Sequence, residues 1–229
     1  MKIIAHIYTD FSEKFGIPRQ SGLVEGLRGK IIFEPEYRVT EAVKGLEEYS
    51  HLWLLWKFSK AERGSWSATV RPPRLGGKKR MGVFATRSPF RPNPIGLSCV
   101  SLERIEYDET LGPVIYVTGV DMLDKTPIYD IKPYLSYCDS HPDAKCGFAD
   151  EVKSHELEVQ YEEEVVRGLE EEKLRTICDL LRQDPRTAYL DDEQRIWGIT
   201  YAAYNIKFMV SGKQLQILEI TEDGRVDSD

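Results

Sequence analysis

The sequence is poor in cysteine, in long apolar runs and, over its first 150 residues, in helical periodicity. Four cysteines (Cys99, Cys138, Cys146 and Cys178) in 229 residues are too few for a disulfide framework and fit a reducing compartment. No stretch approaches the roughly 18 consecutive apolar residues of a membrane-spanning helix, so no membrane partner is expected. The opening MKIIAHIYTDFSEKFG lacks the apolar core of a secretory leader, and a cytoplasmic protein is expected. No G-x-G-x-x-G follows a strand, because Gly22, Gly26 and Gly29 have other spacings; this argues against a Rossmann nucleotide-binding turn. Cys138, His141 and Cys146 lie close together, but they match no common zinc spacing and lack a fourth ligand. A loop with idle thiols, and no metal, is the expectation.

What is present is unevenly distributed. The formal net charge is -7, which alone argues against a nucleic-acid partner. Residues 151–229, however, hold 10 Lys and Arg against 19 Asp and Glu, while residues 1–150 hold 21 against 19. From Arg63 to Leu102 there are eight basic residues (Arg63, Arg71, Arg74, Lys78, Lys79, Arg80, Arg87 and Arg91) and no acidic one. So one-sided a segment inside an acidic chain fits a phosphate or RNA footprint, or else a solvated basic loop.

Segments rich in β-branched and aromatic residues predict strands at Ile3–Tyr8, Gly29–Phe33, Leu52–Phe58, Gly82–Thr86, Leu97–Tyr107, Val114–Met122 and Pro127–Ile131. Breaks such as Arg71-Pro72-Pro73 and Leu111-Gly112-Pro113 separate them. Only Thr40–Tyr49 reads as helical in this half, with Thr40 as its N-cap. A mainly β fold is therefore expected, with a sandwich or barrel over residues 1–150. Residues 151–229 read as a small α+β domain. It comprises a strand around Leu157–Tyr161, a helix over Gly168–Arg182 stopped by Asp184-Pro185, and strands at Gly198–Val210 and Gln214–Thr221.

The least ordinary segment is Gly82–Ser98, GVFATRSPFRPNPIGLS. Three prolines (Pro89, Pro92 and Pro94) stiffen its backbone, and Arg87 and Arg91 carry fixed charge suited to a carboxylate or phosphate. This segment closely resembles the signature of the TrmO (YaeB, TsaA-like) family. Ile17-Pro18-Arg19-Gln20, Tyr49-Ser50-His51-Leu52-Trp53 and Val120–Tyr134 (VDMLDKTPIYDIKPY) resemble further elements of that family. So do Asp184-Pro185-Arg186-x-x-Tyr189 and the strand bearing Asn205 and Phe208, all in the family's order.

The resemblance implies an N-terminal TsaA-like β-barrel that binds S-adenosylmethionine (SAM) without a Rossmann sheet, near a homodimer interface. It implies methylation of N6 of threonylcarbamoyladenosine, the purine beside the anticodon in a tRNA anticodon loop. SAM contacts are implied at Pro18, Arg19, Gln20, His51, Arg87 and Leu97, and along Asp124, Lys125, Thr126 and Pro127. Lys125 stands where the family usually has glycine, so a turn with positive φ would be strained there. Thr187 similarly replaces a common proline. For the reaction itself, Asp130, Asp184 and Tyr189 are the candidate proton acceptors, and Arg186 the candidate grip on a phosphate or carboxylate. His51 reads equally as a satisfied histidine beside an aromatic strand, Asp130 as a strand-end partner, and Asp184 as a helix stop. Two rival functions remain open: a non-catalytic SAM-responsive or RNA-binding barrel, and a SAM methyltransferase of this fold with another substrate.

Overall fold

The structure is a computed structural model that describes residues 1–60, 66–75, 79–152, 156–186 and 192–222. The strands of the first part are β1 (Ala5–Thr9), β2 (Arg28–Phe33), β3 (His51–Lys57), β4 (Thr69–Val70), β5 (Met81–Gly82), β6 (Ile95–Asp108), β7 (Gly112–Thr118) and β8 (Thr126–Pro133). Six of them close into an antiparallel barrel in the order β1-β2-β7-β6-β3-β8, and the short pair β4-β5 stands outside it. Alternation drives the closure. In β3, Leu52, Leu54 and Trp56 point inward while the residues between them are more exposed, and Ile31, Ile115, Val117 and Ile128 repeat the pattern from the neighbouring strands. Closing the sheet leaves the barrel no unpaired strand edge.

Two short helices, α1 (Ser136–Asp139) and α2 (Phe148–Val152), follow the barrel. Next come β9 (Glu158–Gln160), α3 (Glu171–Arg182), β10 (Trp197–Tyr201), β11 (Tyr204–Ser211) and β12 (Gln214–Glu222). These strands form a sheet in the order β10-β11-β12-β9, with β9 parallel to β12. One face of α3 buries Thr176, Ile177, Leu180 and Leu181.

The long connection between β1 and β2 ties the two sheets together. Phe11 packs on Tyr201 with ring centroids 5.5 Å apart, and Phe15 stacks on Trp197 at 6.1 Å. Arg28 Nη2 donates to Glu172 at 2.8 Å, and the Ala202 amide donates to the Asp10 carbonyl at 3.0 Å. The barrel and the second sheet thus share one continuous apolar core.

Several expected elements differ in the structure. Thr40–Tyr49 is two 3₁₀ turns, Thr40–Val43 and Leu46–Glu48, and the N-cap position of the first is Val39, with no side-chain cap. Gly45 lies between them at φ 84°, a left-handed residue that interrupts any helical ladder. The segment expected as a strand at Gly82–Thr86 ends its pairing at Gly82 and continues as a 3₁₀ turn, Val83–Ala85. The single strand expected at Gly198–Val210 is a hairpin, turned through Ala202 at φ 52° without a glycine to mark it.

Candidate active-site cleft

One end of the barrel opens into a cleft of about 1560 Å³. Its walls come from the β1–β2 connection, the end of β3, the Gly82–Ser98 segment and the turn after α3. The volume exceeds the roughly 300–1,000 Å³ typical of a single small-molecule site, so it has room for a second group beside a ligand.

Local packing explains how the wall is set. Trp56 of β3 lies directly on Gly96 of β6, and a Cβ at residue 96 would come within 2.2 Å of the Trp56 ring. The Trp56 indole N–H donates to Ser98 Oγ at 2.9 Å, and Ser98 Oγ donates to Asp121 Oδ1 at 2.6 Å. Phe58 packs on Trp56 with ring centroids 4.2 Å apart. Ser21 Oγ accepts from the Cys99 amide at 3.0 Å, pinning the Pro18–Gln20 loop beside β6.

The two arginines of GVFATRSPFRPNPIGLS have different roles. Arg91 Nη1 donates to the carbonyls of Val83 at 3.1 Å and Thr86 at 2.6 Å, which fixes the loop from inside. Arg87 donates to Gln20 Oε1 at the cleft wall. Arg19 Nη2 donates to the Arg186 carbonyl at 3.0 Å and so joins the barrel loop to the turn after α3. Arg186 forms a two-pronged pair with Asp184, Nε to Oδ1 at 2.9 Å and Nη2 to Oδ2 at 3.0 Å, both residues being buried.

Of the residues expected at the site, Pro18, Arg19, Gln20, Arg87, Leu97, Thr126 and Arg186 line this cleft together. Asp184 stands behind Arg186 as its ion-pair partner. Asp124 and Lys125 belong to the turn entering β8, and Pro127 to β8 itself; none of the three lines the cleft. The Asp124 carboxylate there accepts from the Thr9 amide at 3.1 Å. Lys125 is left-handed at φ 59°, so a non-glycine residue holds this turn in a conformation that favours glycine.

His51 begins β3, roughly 17 Å of strand from its cleft end. Its ring nitrogens face Ser50 Oγ at 2.9 Å and Ser101 Oγ at 3.3 Å. Trp56 and Lys57, at the other end of the same strand, and Phe58 just beyond it do line the cleft. Asp130 also lies outside the lining, paired with Lys132 at 3.1 Å. Tyr189 lies outside the described residues, as do Arg63 and Lys78 of the basic segment.

Sequence reasoning passed over Asp121, which lines the cleft. Burial pushes its carboxyl up to about 6, against the opposing pull of Ser98, backbone amides and the Arg87 guanidinium. The signal for it was present: Asp121 is the first acidic residue of VDMLDKTP, where attention went to the second. Among the described residues the lining holds nine Lys and Arg and this one carboxylate.

The chain can now be set beside other proteins. Residues 6–140 match the tRNA-methyltransferase O N-terminal domain, and residues 154–223 match the TrmO C-terminal domain. The tRNA (adenine(37)-N6)-methyltransferase of Escherichia coli is 40% identical over 227 residues, covering 95% of each chain. A Pseudomonas aeruginosa relative, provisionally named an S-adenosylmethionine-dependent methyltransferase, is 41% identical over 209 residues, covering 86% of this chain and 88% of its own. The crystal structure of TrmO from Pseudomonas aeruginosa superposes with a TM-score of 0.76 at 33% identity, covering 96% of this chain and 95% of that one. With both halves matched in order on one shared architecture, the chain belongs to the TrmO family.

Proposed function

We propose that this protein transfers the methyl group of SAM to N6 of threonylcarbamoyladenosine at position 37 of tRNA, beside the anticodon. The carrying observation is one cleft that gathers Pro18–Gln20, Arg87, Leu97 and Arg186 in a chain 40% identical, end to end, to the Escherichia coli enzyme of that name. In this reading residues 1–150 form the SAM-binding barrel and 151–229 the domain that completes the RNA site. A homodimer and a cytoplasmic location belong to the same reading.

The residues present fit the donor. SAM combines a carboxylate with an apolar and aromatic body. Arg87 and Arg19 suit the carboxylate, while the half-exposed Leu97 and the Trp56–Phe58 pair offer apolar surface. Bound there, SAM supplies an electrophilic methyl group, and alignment is the main service the walls provide.

The cationic wall suits the RNA backbone, whose affinity for such a surface rises as salt falls. Two exposed aromatics lie within the basic segment: Trp66 and Phe84 have ring centroids 6.2 Å apart, and the Arg91 guanidinium sits 5.6 Å from the Phe84 ring. Such a pair can stack on the splayed bases of an anticodon loop.

The test is incubation with labelled SAM and tRNA from cells that lack this activity. Label on a nucleoside migrating as methylated threonylcarbamoyladenosine is the expected result. SAM binding without transfer to any tRNA would overturn the enzymatic reading.

A further inference from the structure

A methyl group transferred to N6 must displace a proton, and the nitrogen is a poor nucleophile because its lone pair is drawn into the neighbouring carbamoyl group. A group that receives the proton during attack therefore lowers the barrier. The cleft offers few such groups. Among the described residues its lining contains no histidine, glutamate, tyrosine or cysteine, and Asp121 is its one carboxylate. Of the earlier candidates, Asp184 is held on both oxygens by Arg186, Asp130 pairs with Lys132 away from the lining, and Tyr189 lies outside the described residues.

We propose that Asp121 is the general base of the methyl transfer, taking the N6 proton at its carboxylate. The inference rests on the methyltransferase reading above. Ser98 Oγ donates to the carboxylate at 2.6 Å, and the backbone amides of Asp121 and Ser21 favour its ionised form. A carboxylate has about four acceptor positions, so these donors fix its direction and leave capacity toward the cleft. Trp56 in turn holds Ser98, which makes the array Trp56–Ser98–Asp121 a rigid support built on adjacent strands.

In the step itself, Asp121 receives the proton as the N6–H bond breaks. The electron pair of that bond, or the lone pair it replaces, forms the new N–C bond. The C–S pair leaves on sulfur, which becomes neutral. The balance needs no further reactant. Burial keeps the carboxylate more basic than a free aspartate, while Ser98 first, then backbone amides and the Arg87 guanidinium, favour its ionised form.

The experiment compares wild type, Asp121→Asn and Ser98→Ala in single-turnover methylation of tRNA from pH 4.5 to 8.5. SAM affinity is measured by calorimetry, and the Asp121 carboxyl is titrated by NMR in the protein without tRNA. For Asp121→Asn, SAM affinity should stay within about twofold while the rate falls about 10²–10⁴-fold. The wild-type rate should rise through the pH at which the carboxyl titrates, and the Asn variant should lose that limb. Ser98→Ala removes a donor that favours the ionised form, so its limb and its NMR titration should both move to higher pH.

A wild-type rate in the Asn variant overturns the proposal. So does a loss of SAM affinity equal to the loss of rate, which would make Asp121 an anchor for the donor. An unmoved limb in Ser98→Ala does the same. Wild-type protein that neither binds SAM nor methylates tRNA overturns the methyltransferase reading itself, a result distinct from the others.

Discussion

Keeping Asp121 ionised in a buried site should weaken the fold at working pH, and that cost can be measured. Its carboxyl is raised from 3.8 to about 6 in the folded protein. At 1.36 kcal/mol per pKa unit this corresponds to roughly 3 kcal/mol. The folded state holds the proton more tightly than the unfolded chain. The group therefore favours folding fully below about pH 3.8, and that contribution is lost as pH rises through 6. Asp121→Asn keeps the shape and removes the titration. Its amide meets donors at Ser98 and Ser21, a mismatch costing about 1–3 kcal/mol that is the same at every pH. The stability of the Asn variant relative to wild type should accordingly improve by roughly 2.5 kcal/mol between pH 4 and pH 8. Urea unfolding at several pH values reads this as a movement in relative midpoint of about 1 M or more. A gap that stays constant over the range, or shrinks as pH rises, would refute the reasoning.

Four further outcomes follow from particular contacts. Gly96→Ala drives a Cβ to 2.2 Å from the Trp56 ring, so about 1–3 kcal/mol of stability should be lost, with a shift in tryptophan emission. Lys125→Gly relieves a left-handed lysine worth about 1–2 kcal/mol, offset by about 0.4–1 kcal/mol of unfolded-chain freedom; a small rise in thermal midpoint, about 2–4 °C per kcal/mol, is expected. Arg186→Ala strands the buried Asp184 and should cost about 3–5 kcal/mol in urea unfolding, much of it recovered by also replacing Asp184 with Asn. Replacing both Trp66 and Phe84 with Ala should weaken tRNA binding by about 1–3 kcal/mol per lost stack, seen in filter binding, with SAM affinity unchanged.

The barrel was legible because each of its strands alternates, and alternation is a local property that survives into the fold. Leu52, Leu54 and Trp56 announce an inward face whatever pairs with them. Turns without glycine were not legible: Ala202 reverses the chain inside a run of apolar residues that reads as one long strand. Gly45 was visible, yet nothing in the apolar spacing around it marks its left-handed φ. The site was half legible for a related reason. Motifs collect residues along the chain, but the cleft selects by strand end and by side. His51 and Lys57 share β3 at opposite ends, and only Lys57 reaches the lining. Asp121 and Asp124 share one short motif. The second satisfies the end of β1, and the first faces the cleft.

Arg87 and Arg91 carry the same distinction into function. By composition they are equivalent: two guanidiniums four residues apart in a proline-rich loop. In the fold Arg91 is held by two backbone carbonyls of that same loop, and much of its hydrogen-bonding capacity goes to keeping the loop in shape. Arg87 is left at the wall, held by one side chain, Gln20, which belongs to the opposite loop. A loop fixed by three prolines and an internal arginine loses little freedom when a ligand arrives, so less of the binding energy is spent on ordering it. Arg87 meanwhile has two tasks, offering charge to an anionic group and biasing Asp121 toward its ionised form. Loss of Arg87 should therefore weaken ligand binding and also raise the pH at which Asp121 titrates. Loss of Arg91 should act first on the order of the loop. The motif is short because its two arginines, though alike in sequence, divide support from contact.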